Sequence, residues 1–146
     1  MINFSSYRRV RLTDVAAVER VKKNKVYAKG TVFIQVSASK GQTIIIDKDM
    51  QVGTQYVSAI PHEEVNPYYL KISIDNAMTE FREKNQTGLN IQVDSFNELY
   101  IYIHNKETQE YIVNAIDTVN KMIEHEEKQV ENLAEHKRYY VQNMFV

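Results

Sequence analysis

From Thr108 to the last of its 146 residues the sequence contains neither glycine nor proline. Within that stretch Ile112, Ile116, Val119, Ile123, Glu126, Val130, Leu133, Lys137, Tyr140 and Met144 follow one another at alternating spacings of four and three. This is a heptad a/d register held over more than four heptads, with only Glu126 and Lys137 polar. Such a pattern predicts one helix of about 37 residues, roughly 55 Å at 1.5 Å per residue. That is longer than a globule built from the preceding residues is wide, so the helix is expected to project or to find a partner helix. At about 25 cal/mol per Å2, hiding a seam of large side chains is worth many kcal/mol. The apolar positions Ile112, Ile116, Val119, Ile123, Val130, Leu133, Tyr140 and Met144 are therefore the expected contact surface with another helix.

The preceding residues have a different texture. Short β-branched or alternating runs at Thr31–Val36, Thr43–Ile46, Tyr56–Ile60, Leu89–Val93 and Leu99–Ile103 read as strands. They are punctuated at Lys40-Gly41, Asp47-Lys48-Asp49 and Gly53. In Leu99–Ile103, Leu99, Ile101 and Ile103 share one face, and Tyr100 and Tyr102 the other. The tyrosine face suits either base stacking or cross-strand packing, of which packing is the commoner use. One helix stands among the strands. Asn66 reads as its N-cap, Pro67 as its first residue, Tyr69, Ile72, Ala77 and Phe81 as its apolar stripe, with an end near Asn85 and Gly88 in the following turn. The fold class is accordingly α+β: a small mixed strand/helix domain over residues 1–106, followed by one long C-terminal coiled-coil helix over 107–146.

Composition narrows the chemistry. Four glycines and no cysteine leave no glycine-rich phosphate loop, thiolate metal site or cysteine nucleophile. The sequence His62-Glu63-Glu64 lacks the second imidazole that a zinc-binding helix requires, and the remaining histidines are scattered. Asn66-Pro67-Tyr68-Tyr69 approaches the base-holding loop of adenine methyltransferases, but Tyr68 stands where that loop has a second proline, and the helix start explains the same residues. No enzyme activity, cofactor or metal is expected. No apolar run approaches the ~18 residues of a membrane helix and no signal peptide follows Met1, so a cytoplasmic protein with no membrane partner is expected.

Overall charge is −1, yet it is unevenly placed. Residues 1–40 carry nine basic side chains against Asp14 and Glu19, a surplus of seven. Residues 41–106 and 107–146 each carry four more acids than bases. The basic arm suits either an anionic partner or simply a solvated face.

Several motifs taken in order carry a resemblance. They are Pro67-Tyr68-Tyr69-Leu70, then Gly88-Leu89-Asn90-Ile91 followed by Phe96, Leu99, Ile101 and Ile103, then Gln109 with Ile112, Asp117 with Ile123, and Leu133 with Lys137 ahead of Met144-Phe145. Their order and spacing resemble those of the specificity (S) subunits of type I restriction-modification systems, with residues 67–146 covered well and residues 7–60 loosely. The proline-rich stretch that usually precedes the family's conserved helix is here Ile103-His104-Asn105-Lys106-Glu107-Thr108-Gln109, without proline. The resemblance implies a non-catalytic target-recognition domain that reads one half of a split site in double-stranded DNA. It also implies a helix that packs on a second helix and docks DNA methyltransferase (M) subunits. Full-length members carry two such units and this chain carries one, so a half-sized member is expected to form a homodimer and read a palindromic site.

On this reading Arg8, Arg9, Arg11, Lys22, Lys23, Lys25 and Lys29 are the candidate phosphate contacts. Gln35, Ser39, Lys40 and Gln42 around Gly41 are the candidate base readers, although a turn of that composition also serves simply as a turn. The alternative function is an interaction protein that occupies the S-subunit docking place and modulates or inhibits a restriction-modification complex.

Overall fold

A computed structural model describes residues 1–37 and 42–145. The chain runs through β1 (Tyr7–Arg11), α1 (Leu12–Val15), β2 (Ala16–Arg20), β3 (Val26–Tyr27), β4 (Val32–Gln35), β5 (Thr43–Ile45), β6 (Met50–Gln51) and β7 (Tyr56–Pro61). It continues through α2 (Pro67–Asn85), β8 (Gln86–Thr87), β9 (Asn90–Ile91), a 310 turn at Val93–Glu98, β10 (Tyr100–His104) and α3 (Lys106–Met144). This is the α+β class with a long C-terminal helix that the sequence predicts.

The central sheet is antiparallel with strand order β2-β7-β4-β5. Strand β4 is paired along both edges, and Val32, Phe33 and Ile34 are all fully buried, so both its faces are covered as well. A strand covered on both sides reads as a continuous apolar run, which is why alternation at Thr31–Val36 is weak. Phe33 packs edge-to-face on Tyr27, 5.2 Å between centroids, in a cluster with Val21 and Ile46. Val32 and Ile34 alternate to the opposite face, and α2 packs against the sheet.

Helix α2 begins as its sequence dictates. Asn66 Oδ1 accepts from the amides of Tyr68 (2.9 Å) and Tyr69 (3.3 Å), and Pro67 takes the first turn, where no amide is needed. Its buried face differs from the expected stripe. Tyr69, Leu70, Ser73, Ile74, Met78 and Phe81 are buried, whereas Ile72 and Ala77 are only half-buried. Ser73 holds a core position because its hydroxyl donates to the Tyr102 carbonyl at 3.0 Å, beside Tyr69 Oη at 2.9 Å. Polar residues satisfied in this way rotate the stripe, and hydrophobicity alone does not show it. Replacing Asn66 by alanine is expected to cost about 1 kcal/mol, read as a lower chemical-denaturation midpoint with an unchanged m-value.

Three further departures have local causes. The expected strand Leu89–Val93 shrinks to Asn90–Ile91, because Val93 opens the 310 turn. Gly88, at φ +66, closes the β8–β9 hairpin in the left-handed region. Strands β1 and β2 carry no apolar alternation that would announce them. Their pairing is supplied by β10 and β7, from distant parts of the chain.

The chain divides into two units, residues 1–111 and 112–146. Within the second unit α3 is continuous. Ile112 and Val113 are half-buried, and every described residue from Asn114 onward is exposed. Among the described residues no helix is long and apolar enough to cross a membrane.

Candidate nucleic-acid interface

The β1–β10 ribbon is the most distinctive surface of the first unit. Its register sets Tyr7 opposite His104, Arg9 opposite Tyr102 and Arg11 opposite Tyr100. Because strand faces alternate, these six side chains share the outer face. Leu99, Ile101 and Ile103 turn inward and are buried. Arg9 lies over the Tyr100 ring, 4.4 Å from guanidinium carbon to centroid. Arg11 lies 5.9 Å from the same centroid and donates from Nε to Tyr100 Oη at 3.2 Å. That hydrogen bond is the chief reason the Arg11 pKa rises above its ordinary value. Tyr7 packs edge-to-face on Tyr102 at 4.9 Å. The tyrosine face of β10 is thus used for cross-strand packing, as the commoner reading of the sequence has it. Tyr102 and Tyr7 nonetheless remain about half exposed. Among the described residues neither Arg9 nor Arg11 forms a direct ion pair, although Arg9 lines a cavity with Glu80 and Glu98, and Glu98 and Asp14 add to the rise at Arg11.

The other basic candidates do not join them in one patch. Arg8 sits opposite Ile103, on the other side of the ribbon, at a cavity it lines with Glu63, Glu64 and His104. Lys22 and Lys25 both pair with Glu19, Lys22 at 3.2 Å, and Lys25 also lies 4.8 Å from the Tyr27 centroid. Hydrogen bonds from Lys25 and then Lys22 hold the Glu19 carboxyl below its ordinary range. This clip is therefore intact at neutral pH and is lost only as pH falls through that lowered value. Lys23 and Lys29 are exposed, and the Lys29 amide donates to Asp49 Oδ1 at 2.8 Å.

Of the expected base readers, Gln35 is already engaged. Its Nε2 donates to the Ser37 carbonyl at 3.2 Å and its Oε1 accepts from the Gln42 amide at 3.3 Å. Its backbone carbonyl accepts from Arg82 Nη2 at 2.9 Å, and burial lowers the Arg82 pKa. The Gln42 side chain is exposed, and Ser39 and Lys40 lie outside the described residues.

The sequence matches the type I restriction modification DNA specificity domain over residues 4–135. The chain belongs to this family. Three solved structures share its fold. A chain from a type I R-M system studied for complex assembly and conformational transition is 19% identical with a TM-score of 0.76, covering 91% of this chain and 43% of that one. The HsdS subunit from Thermoanaerobacter tengcongensis is 15% identical, TM-score 0.68, covering 84% and 39%. The type I restriction-modification S subunit from M. genitalium is 13% identical, TM-score 0.72, covering 99% and 47%. This specificity domain therefore spans less than half the length of each. No curated protein matches the sequence.

The specificity domain exposes its heptad seam in a single chain. Val119, Ile123, Val130, Leu133, Tyr140 and Met144 are all exposed on α3, and Val119, Met122, Ile123 and Val130 line one apolar strip. Two contributors escape a reading by residue type. Tyr100 becomes the ring on which two guanidiniums gather, a role visible only once β1 is paired. Gln109 is buried in the first turns of α3, where its Oε1 accepts from the Asn66 amide and its Nε2 donates to the His104 carbonyl, each at 2.9 Å. The resemblance singles out this glutamine; its partners could not be named from the sequence.

Proposed function

We propose that the chain is a non-catalytic DNA sequence-specificity module, a half-sized S subunit that directs a type I DNA adenine methyltransferase to a split site. Residues 1–106 would recognise one half of the site in double-stranded DNA. Residues 107–146 would pair with a second copy and dock the methyltransferase subunits. The observation that carries this reading is the family match over residues 4–135. The outer face of the β1–β10 ribbon supports it: Arg9 and Arg11 are held against Tyr100 and neither is tied up in a direct salt bridge among the described residues, which suits contact with phosphates. The apolar seam of α3 supports the pairing role, since an a/d stripe gains its stability from a facing helix.

The test is to purify the tagged chain from its native lysate, identify the retained proteins by mass spectrometry, and map the sites that the recovered complex methylates. An adenine methyltransferase acting at a palindromic split motif is the expected result. A retained methyltransferase that the chain silences, with no motif selected, would instead identify an interaction protein occupying the docking place. Replacing Arg9 and Arg11 together by alanine is expected to weaken DNA binding for every sequence alike. It should also flatten the dependence of log affinity on log salt by about 2, at ~0.9 for each phosphate no longer neutralised. An unchanged salt slope would show that the ribbon does not touch the backbone.

A further inference from the structure

A cleft of about 350 Å3 opens where four separated segments of the first unit meet. Arg20 comes from the end of β2, Ser37 from the segment after β4, Gln55 from just before β7, and Asn90, Gln92 and Asp94 from β9 and the turn that follows. Main-chain hydrogen bonds hold the frame. The Ile91 amide donates to the Val36 carbonyl and the Val36 amide to the Gln55 carbonyl, both at 3.0 Å, and Ser37 bridges to Asn90. Val36 and Ile91 are buried beneath, while all six polar residues at the rim are exposed. Polar side chains thus stand on a backbone scaffold that has no unmet demand for them.

That distinguishes them from many other amides of the unit. Gln35 bridges Ser37 and Gln42, Asn66 caps α2, Asn85 donates to the Phe81 carbonyl, Gln86 donates to the Gly88 carbonyl, and Gln109 joins Asn66 to His104. Those side chains complete the fold. Among the described residues, the side chains of Arg20, Gln55, Asn90, Gln92 and Asp94 have no hydrogen-bond or ion-pair partner. The set is also chemically mixed. A primary amide offers a donor and an acceptor side by side and matches the N6/N7 edge of adenine. The guanidinium fork matches O6/N7 of guanine, and a carboxylate accepts from N4 of cytosine. The Asp94 carboxylate would repel a phosphate, whereas it suits a base-edge amino group. The cleft therefore differs in kind from the arginine face of the ribbon, and the two suit the separate tasks of reading and positioning.

We infer that this cleft receives base edges of duplex DNA, and that Arg20, Asn90 and Gln92 set which bases the chain accepts. The inference rests on the specificity role proposed above and goes beyond it by moving readout from Gln35 and Gln42 to a different set of residues. The test uses the full chain with its methyltransferase, selecting from a pool of duplexes randomised across the site. Arg20→Ala and Asn90→Ala/Gln92→Ala should each relax discrimination at one or two positions, by roughly tenfold to a hundredfold for each bidentate base pairing removed. The salt slope and melting temperature should stay at wild-type values. Arg20→Lys keeps the charge and loses the fork, so it should relax the same position as Arg20→Ala. Variants that fold as wild type and select the same motif with the same discrimination overturn the inference. So does a uniform loss of affinity with a flatter salt slope, which would mark a phosphate contact. A wild-type complex that selects no motif overturns the specificity role itself, and this assignment with it. A wild-type complex that selects a motif while the variants leave it intact overturns only the assignment of the cleft.

Discussion

Glutamate at both Ile123 and Val130 is expected to abolish the proposed pairing of α3 with a second copy and leave the chain monomeric. The two positions lie seven residues apart on α3, in one register of the seam, and both side chains are exposed in the isolated chain. In a paired helix they would be buried, and a twofold dimer would forgo the burial of four such side chains at once. At roughly 2 kcal/mol for each buried Ile or Val side chain, the loss is on the order of 8 kcal/mol before any cost of burying carboxylates. That corresponds to more than five orders of magnitude in the dissociation constant. Sedimentation equilibrium over a hundredfold concentration range reads this directly. His125→Ala, off the seam on the same helix, should leave association unchanged. A wild type that stays monomeric at every concentration would assign the seam to a different partner helix and remove the homodimer from the proposal.

Gln109→Leu should be the most damaging single polar-to-apolar change in the first unit. The glutamine is buried, and its two hydrogen bonds satisfy a backbone amide at Asn66 and a backbone carbonyl at His104. Leucine fills nearly the same volume but strands one donor and one acceptor away from water. Each unsatisfied group costs about 1–3 kcal/mol, so a total of about 2–6 kcal/mol is expected. For a unit of this size that lowers the melting temperature by roughly 8–24 °C, measured by the near-ultraviolet circular dichroism of the tyrosines. The exposed neighbour Glu110→Ala should shift it by no more than about 2 °C, as surface changes away from such networks do. A leucine variant that melts with the wild type would show that the Asn66 amide and His104 carbonyl find other partners.

How far the sequence could be read depended on the range of the interactions involved. The seam of α3 and the Asn66-Pro67 start of α2 are written in consecutive residues, and both stand where the periodicity and capping chemistry put them. The inward face of β10 was legible too, since alternation is local and Ile101 and Ile103 have no polar competitor. Strand β1 was not, because its identity as a strand comes from pairing with β10, about ninety residues away. The α2 stripe was legible only in part: Ser73 owes its buried place to the Tyr102 carbonyl, a partner no helical wheel contains.

The candidate interface divides the same way. Charge counting located a basic arm at residues 1–40 but could not say how its members are used. Arg9 and Arg11 turn to Tyr100, Arg8 faces the opposite side of the ribbon, and Glu19 holds Lys22 and Lys25. By itself, then, the sequence determined the long helix with its apolar seam, the α+β class of what precedes it, and the absence of glycine-rich and thiolate chemistry. The tertiary structure alone decided which polar side chains are committed to the fold and which remain open, as at Gln35 against Asn90 and Gln92. The physical reason is that periodicity and capping act within a few residues of chain. A side chain's free donors and acceptors depend on whatever distant backbone folding brings within 3 Å or so.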